Sequence, residues 1–146
     1  MERESLLVSA CLLGVKCRYD GGDQYCASAV KLLERYDLVP VCPELLGGMG
    51  VPRTPAELRG GRVISADGED RTDKFRLGAE LALKLARRTG ARRALLKSGS
   101  PSCGPDFVHD GTFGGGTVPG RGVAAALLAE GGLRIFSEKD LSGLGV

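Results

Sequence analysis

Three of the five cysteines, Cys11, Cys42 and Cys103, each stand just past a short apolar stretch that reads as a β-strand (residues 6–10, 38–41 and 94–96). In an open α/β sheet, the strand ends form the ligand crevice. Thiols far apart in sequence can therefore meet in one place. Three thiolates converging on a crevice point to a metal centre with one coordination position left open, which is a catalytic arrangement. Glu44 follows Cys42 closely enough to face the same crevice. A carboxylate there can activate water or relay a proton. Ser100 and Ser102 bracket Pro101 just before Cys103. A hydroxyl in that position either hydrogen-bonds a substrate or simply builds the turn that Ser-Pro favours.

None of the three cysteines belongs to a C-x-x-C pair, so ferredoxin and zinc-ribbon spacings are absent,. Burial as small core hydrophobes remains an alternative for all three. Cys17 lies near enough to Cys11 to serve as a fourth ligand or a redox partner, whereas Cys26 opens a predicted helix and reads as core. The interval from Cys11 to Arg18 is one residue too long for a phosphatase phosphate loop. His109, the only histidine, falls in a loop and is given no chemical role. Arg18, Asp20, Arg53 and Glu57 either pair and hold the loops, which is the favoured role, or contact substrate. Walker, dinucleotide-binding, zincin and nucleophile-elbow patterns do not occur,.

The elements that must position these residues alternate between strand and helix. Strands are expected at 6–10, 37–41, 92–97 and 133–136, with a short edge strand at 62–65. Helices are expected at 25–36, 72–89 and 120–130, with a short one beginning at Ser137. The helix over 72–89 is the best defined: Thr72 or Asp70 caps it, Leu77, Leu81, Leu83 and Leu85 supply apolar positions, and Gly90 stops it,. The expected fold is α/β: a Rossmann-like, doubly wound, mainly parallel sheet of four to five strands with helices on both faces.

A chain of 146 residues fits one domain, residues 1–146, with a real core and no need of disulfide staples,. Net charge is +2, too small to argue for nucleic acid or an anionic membrane as partner,. The longest apolar run, residues 123–129, is far short of a membrane span,. The N-terminus lacks a signal-peptide pattern, so the expected location is cytoplasmic. In that compartment, five cysteines read as ligands, nucleophiles or core residues rather than disulfides,. The 23 glycines exceed the usual frequency of about 7% and cluster after the strands, where backbone must approach a ligand closely,.

Five ordered motifs carry a resemblance: Ser9-Ala-Cys-Leu-Leu-Gly14, Cys17-Arg-Tyr-Asp-Gly21, Pro40-Val-Cys-Pro-Glu44, Pro52-Arg-Thr-Pro-Ala-Glu57 and Ser100-Pro-Ser-Cys-Gly104. Together they span nearly the whole chain, which resembles the single-domain form of the thiouracil desulfidase family. The resemblance implies a [4Fe-4S] cluster held by Cys11, Cys42 and Cys103, with the fourth iron free to bind the sulfur of a thiolated base. It further implies that Glu44 is the acid/base and that Ser100 positions the substrate. The implied partner is a small thiolated nucleobase such as 2-thiouracil, desulfurated without redox change and with release of sulfide. Two alternatives stand beside this expectation. One is a non-catalytic metal- or sulfur-binding protein, with a zinc site or as a sulfur carrier. The other is a redox-sensing thiol protein using Cys11 and Cys17.

Overall fold

Alternation within β1 (Ser5–Ser9) sets the layering of the molecule: Leu6 and Val8 enter one core cluster, Leu7 the other, and all three are shut off from solvent,. The computed structural model describes residues 3–145. After β1 come a 3-10 turn (Ala10–Leu13), α1 (Ala27–Val30) running into a second 3-10 turn (Lys31–Glu34), and β2 (Asp37–Val41). Next are α2 (Pro43–Leu46), the hairpin of β3 (Ala56–Arg59) and β4 (Arg62–Ser65), α3 (Thr72–Thr89) and β5 (Arg93–Leu96). The chain ends with the hairpin of β6 (Phe107–His109) and β7 (Thr117–Pro119), then α4 (Val123–Glu130), β8 (Arg134–Ser137) and a last 3-10 turn (Ser142–Leu144).

Four strands pair in the order β2-β1-β5-β8, all parallel, with Leu7 opposite Val39 on one side and Ala94 on the other. On one face, Leu7, Ala94 and Leu96 pack against Ala86, Ala125 and Leu128 of α3 and α4. On the other, Leu6, Val8 and Leu95 meet Ala29, Leu32, Tyr36 and Leu144. The expected doubly wound sheet with helices on both faces is therefore present, with four strands. The chain leaves β1 for β2 on one side and later reaches β5 on the other. This switch point opens a crevice at the strand ends, and Cys11, Cys42 and Cys103 follow the three strands that flank it. Among the described residues, no helix is long and apolar enough to cross a membrane.

Several expected elements differ. The helix expected at 25–36 shrinks to α1 plus a 3-10 turn: Ala29, Leu32 and Tyr36 are buried in the core, whereas Tyr25 and Leu33 stay exposed. Residues 62–65 are not an edge of the main sheet; as β4 they pair antiparallel with β3 in a separate hairpin. No helix begins at Ser137, which closes β8 before a turn. In α3 the expected bounds hold and the Asp70 carboxylate accepts the Thr72 N–H at 2.9 Å, but the leucines do not form the buried face. Phe75, Ala79, Ala82 and Ala86 do, while Leu77 is exposed.

That small-residue face allows α2 to lie directly on α3. A Cβ on Gly47 would stand 2.1 Å from the Lys74 carbonyl oxygen, and one on Gly78 would stand 1.8 Å from that of Pro43. Backbone touches backbone, and the helix next to Cys42 is fixed by that contact.

Candidate active site

Each cysteine that follows a strand is held by a different local device. Cys11 rides on the 3-10 turn after β1, and its carbonyl accepts the Gln24 N–H at 2.9 Å, folding the first loop back over it. Cys17 in that loop is buried. Cys42 is the residue from which α2 starts, with Pro43 at the first helical position, where proline lacks only an N–H the helix does not use,. Glu44 follows within that first turn. Cys103 is set by the turn after β5, in which the Ser100 hydroxyl oxygen accepts the N–H groups of Ser102 (3.0 Å) and Cys103 (2.9 Å). With both acceptor sites used by the turn, Ser100 presents its O–H as a donor. Ser102 is buried, and its hydroxyl has no partner among the described residues.

The sulfurs gather. The Cys42 thiol points to the Cys17 carbonyl oxygen at 3.8 Å. The neighbouring Cys11 thiol, with burial, pushes the Cys17 thiol up to about 11 against the partial relief given by Cys42. The neighbouring Cys17 thiol, then burial, pushes the Cys42 thiol far above the ordinary range. Burial carries Cys103 up to about 12, opposed by the nearby Ser9 hydroxyl, and Cys42, Glu44 and Cys17 act on it as like charges. Neighbouring thiols and burial both disfavour the thiolate form here. A bound cation reverses that balance, since it is the deprotonated form that ligates metal.

The donor set fits an iron–sulfur cluster. All the gathered ligands are soft sulfur, the type that such clusters take. Among the described residues, no group of three or more His, Cys, Asp or Glu side chains closes on a single ion position. A cubane does not require this, because each thiolate binds a different iron corner.

Glu44 is oriented by Arg53. The guanidinium places Nε at 2.7 Å and Nη2 at 2.6 Å on one carboxylate oxygen, Oε2. Nη2 also donates to the Cys17 carbonyl (2.9 Å) and Nη1 to that of Gly50 (3.1 Å). Oε1 of Glu44 receives no hydrogen bond from the described residues. Of the other loop charges, Arg18 pairs with Asp20 at 3.8 Å as expected, whereas Glu57 has no ion pair among the described residues and instead accepts N–H groups from Gly111 and Phe113.

Cys11, Cys17, Cys42, Cys103, Glu44 and Ser100 all line one cavity of about 550 Å³, large enough for a small organic ligand. Cys26 lies outside it and packs in the core under β1. Further wall residues include Tyr19 and Phe113, for which no role was expected, Arg53, for which pinning the loops was favoured over substrate contact, and His109. His109 is not a solvated loop residue; it ends β6, and its Nδ1 is enclosed without a partner among the described residues. Arg53 sits inside the Pro52–Glu57 motif, which was its available signal.

The sequence model of the 2-thiouracil desulfurase family matches residues 6–140. The uncharacterized protein YbbK of Bacillus subtilis (strain 168) is 41% identical, covering 95% of this chain and 99% of its own. A solved structure, the [4Fe-4S]-dependent thiouracil desulfidase TudS (DUF523Vcz), superimposes with a TM-score of 0.92 at 43% identity, covering 97% of this chain and 95% of its own.

Proposed function

This chain belongs to the 2-thiouracil desulfurase family, and from that premise we propose that its cavity removes sulfur from thiouracil and related thiolated pyrimidines, yielding the oxo-base and sulfide. Cys11, Cys42 and Cys103 would hold a [4Fe-4S] cluster, as TudS is described as requiring. A cluster with three protein thiolates has one iron open and supplies Lewis-acid affinity for a soft thiocarbonyl sulfur. The observation carrying this reading is that these three cysteines, Glu44 and Ser100 share the wall of one cavity.

The chain's own groups do the proton work. Glu44, with Oε2 bound by Arg53, offers Oε1 to take a proton from an attacking water and to return it to the departing products,. Ser100 donates its O–H to the base and fixes its orientation. The reaction consumes one water and needs no electron donor. We place the enzyme, acting as a single unit over residues 1–146, in the cytoplasm, where reducing conditions keep the thiols available.

Iron and acid-labile sulfide after anaerobic reconstitution test this reading. About four of each per chain, with conversion of 2-thiouracil to uracil and sulfide, is the expected result. Zinc or no metal, with no conversion, overturns it. One observation favours a second reading: Cys17 is buried in the wall of the same cavity, with its carbonyl 3.8 Å from the Cys42 sulfur. As a fourth ligand it would close the open iron and leave a binding protein.

A further inference from the structure

Among the described residues, Phe113 is the one non-glycine residue with a left-handed backbone, at φ 59. A bulky side chain in that region is an outlier and persists only where surrounding structure enforces it. Here the enforcement is explicit. Oε1 of Glu57 accepts the Phe113 N–H at 3.2 Å and the Gly111 N–H at 3.0 Å, and Arg59 Nε donates to the Gly111 carbonyl at 3.1 Å. Asp110 takes both the N–H and the hydroxyl of Thr112, at 3.0 and 2.6 Å. The β6–β7 hairpin is in turn bridged to the turn that holds Ser100, through Gly99 and Val108.

None of this serves the core. Phe113 is 37% exposed and belongs to no core cluster, yet it lines the cavity that holds the cysteines. The loop therefore holds a strained backbone that keeps a partly exposed aromatic ring on the cavity wall. A planar heterocycle stacks on the face of such a ring whatever its edge substituents.

We propose that Phe113 is the platform on which the planar ring of the substrate stacks as it enters the cavity, so that it sets specificity for flat heterocycles. This rests on the desulfuration reading above. The platform holds the ring; it takes no part in proton or sulfur transfer.

The test uses reconstituted holoenzyme, with steady-state kinetics on 2-thiouracil and equilibrium binding of uracil, which carries no sulfur to lose. Phe113→Asn accepts the left-handed backbone without an aromatic face. It is expected to raise KM and weaken uracil binding by about tenfold, the effect of losing one base–aromatic contact, with iron content unchanged and melting temperature not lowered. Phe113→Tyr should bind as the wild type does, and Phe113→Leu should share the Asn defect. Unchanged KM and uracil binding in Phe113→Asn, or full binding by Phe113→Leu, would overturn the proposal. If the wild type binds uracil but converts no thiouracil, the desulfuration reading fails and the platform is still decided by the binding series. A wild type that binds neither base sinks both.

Discussion

Arg53 grips a single oxygen of Glu44 with two nitrogens, Nε at 2.7 Å and Nη2 at 2.6 Å, and leaves the second oxygen of this cavity-lining residue without a hydrogen bond from the described residues. The same guanidinium reaches the carbonyls of Cys17 and Gly50. One side chain thereby ties the proposed base, the cysteine-bearing loop and the turn after α2 into a fixed unit.

Glu44→Gln keeps the shape but cannot take a proton. Loss of a general base typically costs 10²- to 10⁴-fold, and turnover should fall within that range at unchanged iron content. Arg53→Lys keeps the charge but cannot span all three acceptors at once. It should lower kcat by roughly tenfold with little change in KM, the result of a misdirected carboxylate. Retained kcat in Arg53→Lys would remove Arg53 from this role. Equal sulfide release by Glu44→Gln would remove Glu44 from the mechanism.

Cys17 separates the open site from the closed one. If Cys11, Cys42 and Cys103 are the ligands, Cys17→Ser retains the full iron content and desulfurates 2-thiouracil, whereas serine at any of the other three loses iron. Should Cys17→Ser instead lose iron, or gain activity that the wild type lacks, Cys17 is a ligand. Iron analysis and sulfide release on the four variants decide between them.

Gly78 tests whether α2 and its neighbours depend on backbone contact. A methyl group there would meet the Pro43 carbonyl oxygen at 1.8 Å, and no flexible side chain is available to yield. Overpacking of this kind costs about 1–3 kcal/mol, and the upper end is expected for Gly78→Ala. The midpoint of urea unfolding should fall accordingly, with reduced iron uptake, because α2 must shift and Cys42 is the residue that starts it. An unchanged midpoint would show that α2 and α3 part without cost.

How far the sequence displays this site follows from which forces are local. Cys11, Cys42 and Cys103 are legible because each follows an apolar strand, and parallel strands deliver their ends to one crevice,. α3 is legible from Asp70, whose carboxylate accepts the first helical N–H, that of Thr72, and from a terminating Gly90. Its buried face is not, because leucines dominate the pattern while close approach of α2 and the sheet selects alanine and glycine. β6 and β7 are three residues each, and β7 is wholly exposed, so no alternation marks them. Phe113 cannot be read at all: its left-handed backbone runs against its own preference and is imposed by Glu57, distant in sequence. Glu44 is visible beside Cys42, but its grip by Arg53 arises only when the loop after α2 folds back.

The last prediction concerns pH and the support beneath the Ser100 turn. Glu138 accepts the Ser98 N–H at 2.9 Å and the Ser98 hydroxyl at 3.0 Å, and it pairs with Lys97 at 3.0 Å. Burial pushes its carboxyl up, but the Ser98 N–H and the Lys97 ammonium outweigh burial and hold it below the usual carboxylate range. A carboxyl depressed in the folded state stabilises the protein above its unfolded pKa of about 4.3. That contribution is lost as pH falls through the lower folded value. Wild-type stability should therefore decline on acidification below about pH 5, whereas Glu138→Gln, already weaker at pH 7, should decline less over the same span. Urea unfolding midpoints of both proteins from pH 7 to pH 3 measure the difference. Parallel curves would mean that Glu138 carries the same proton affinity folded and unfolded; coincident curves would mean in addition that its contacts with Lys97 and Ser98 add nothing to stability.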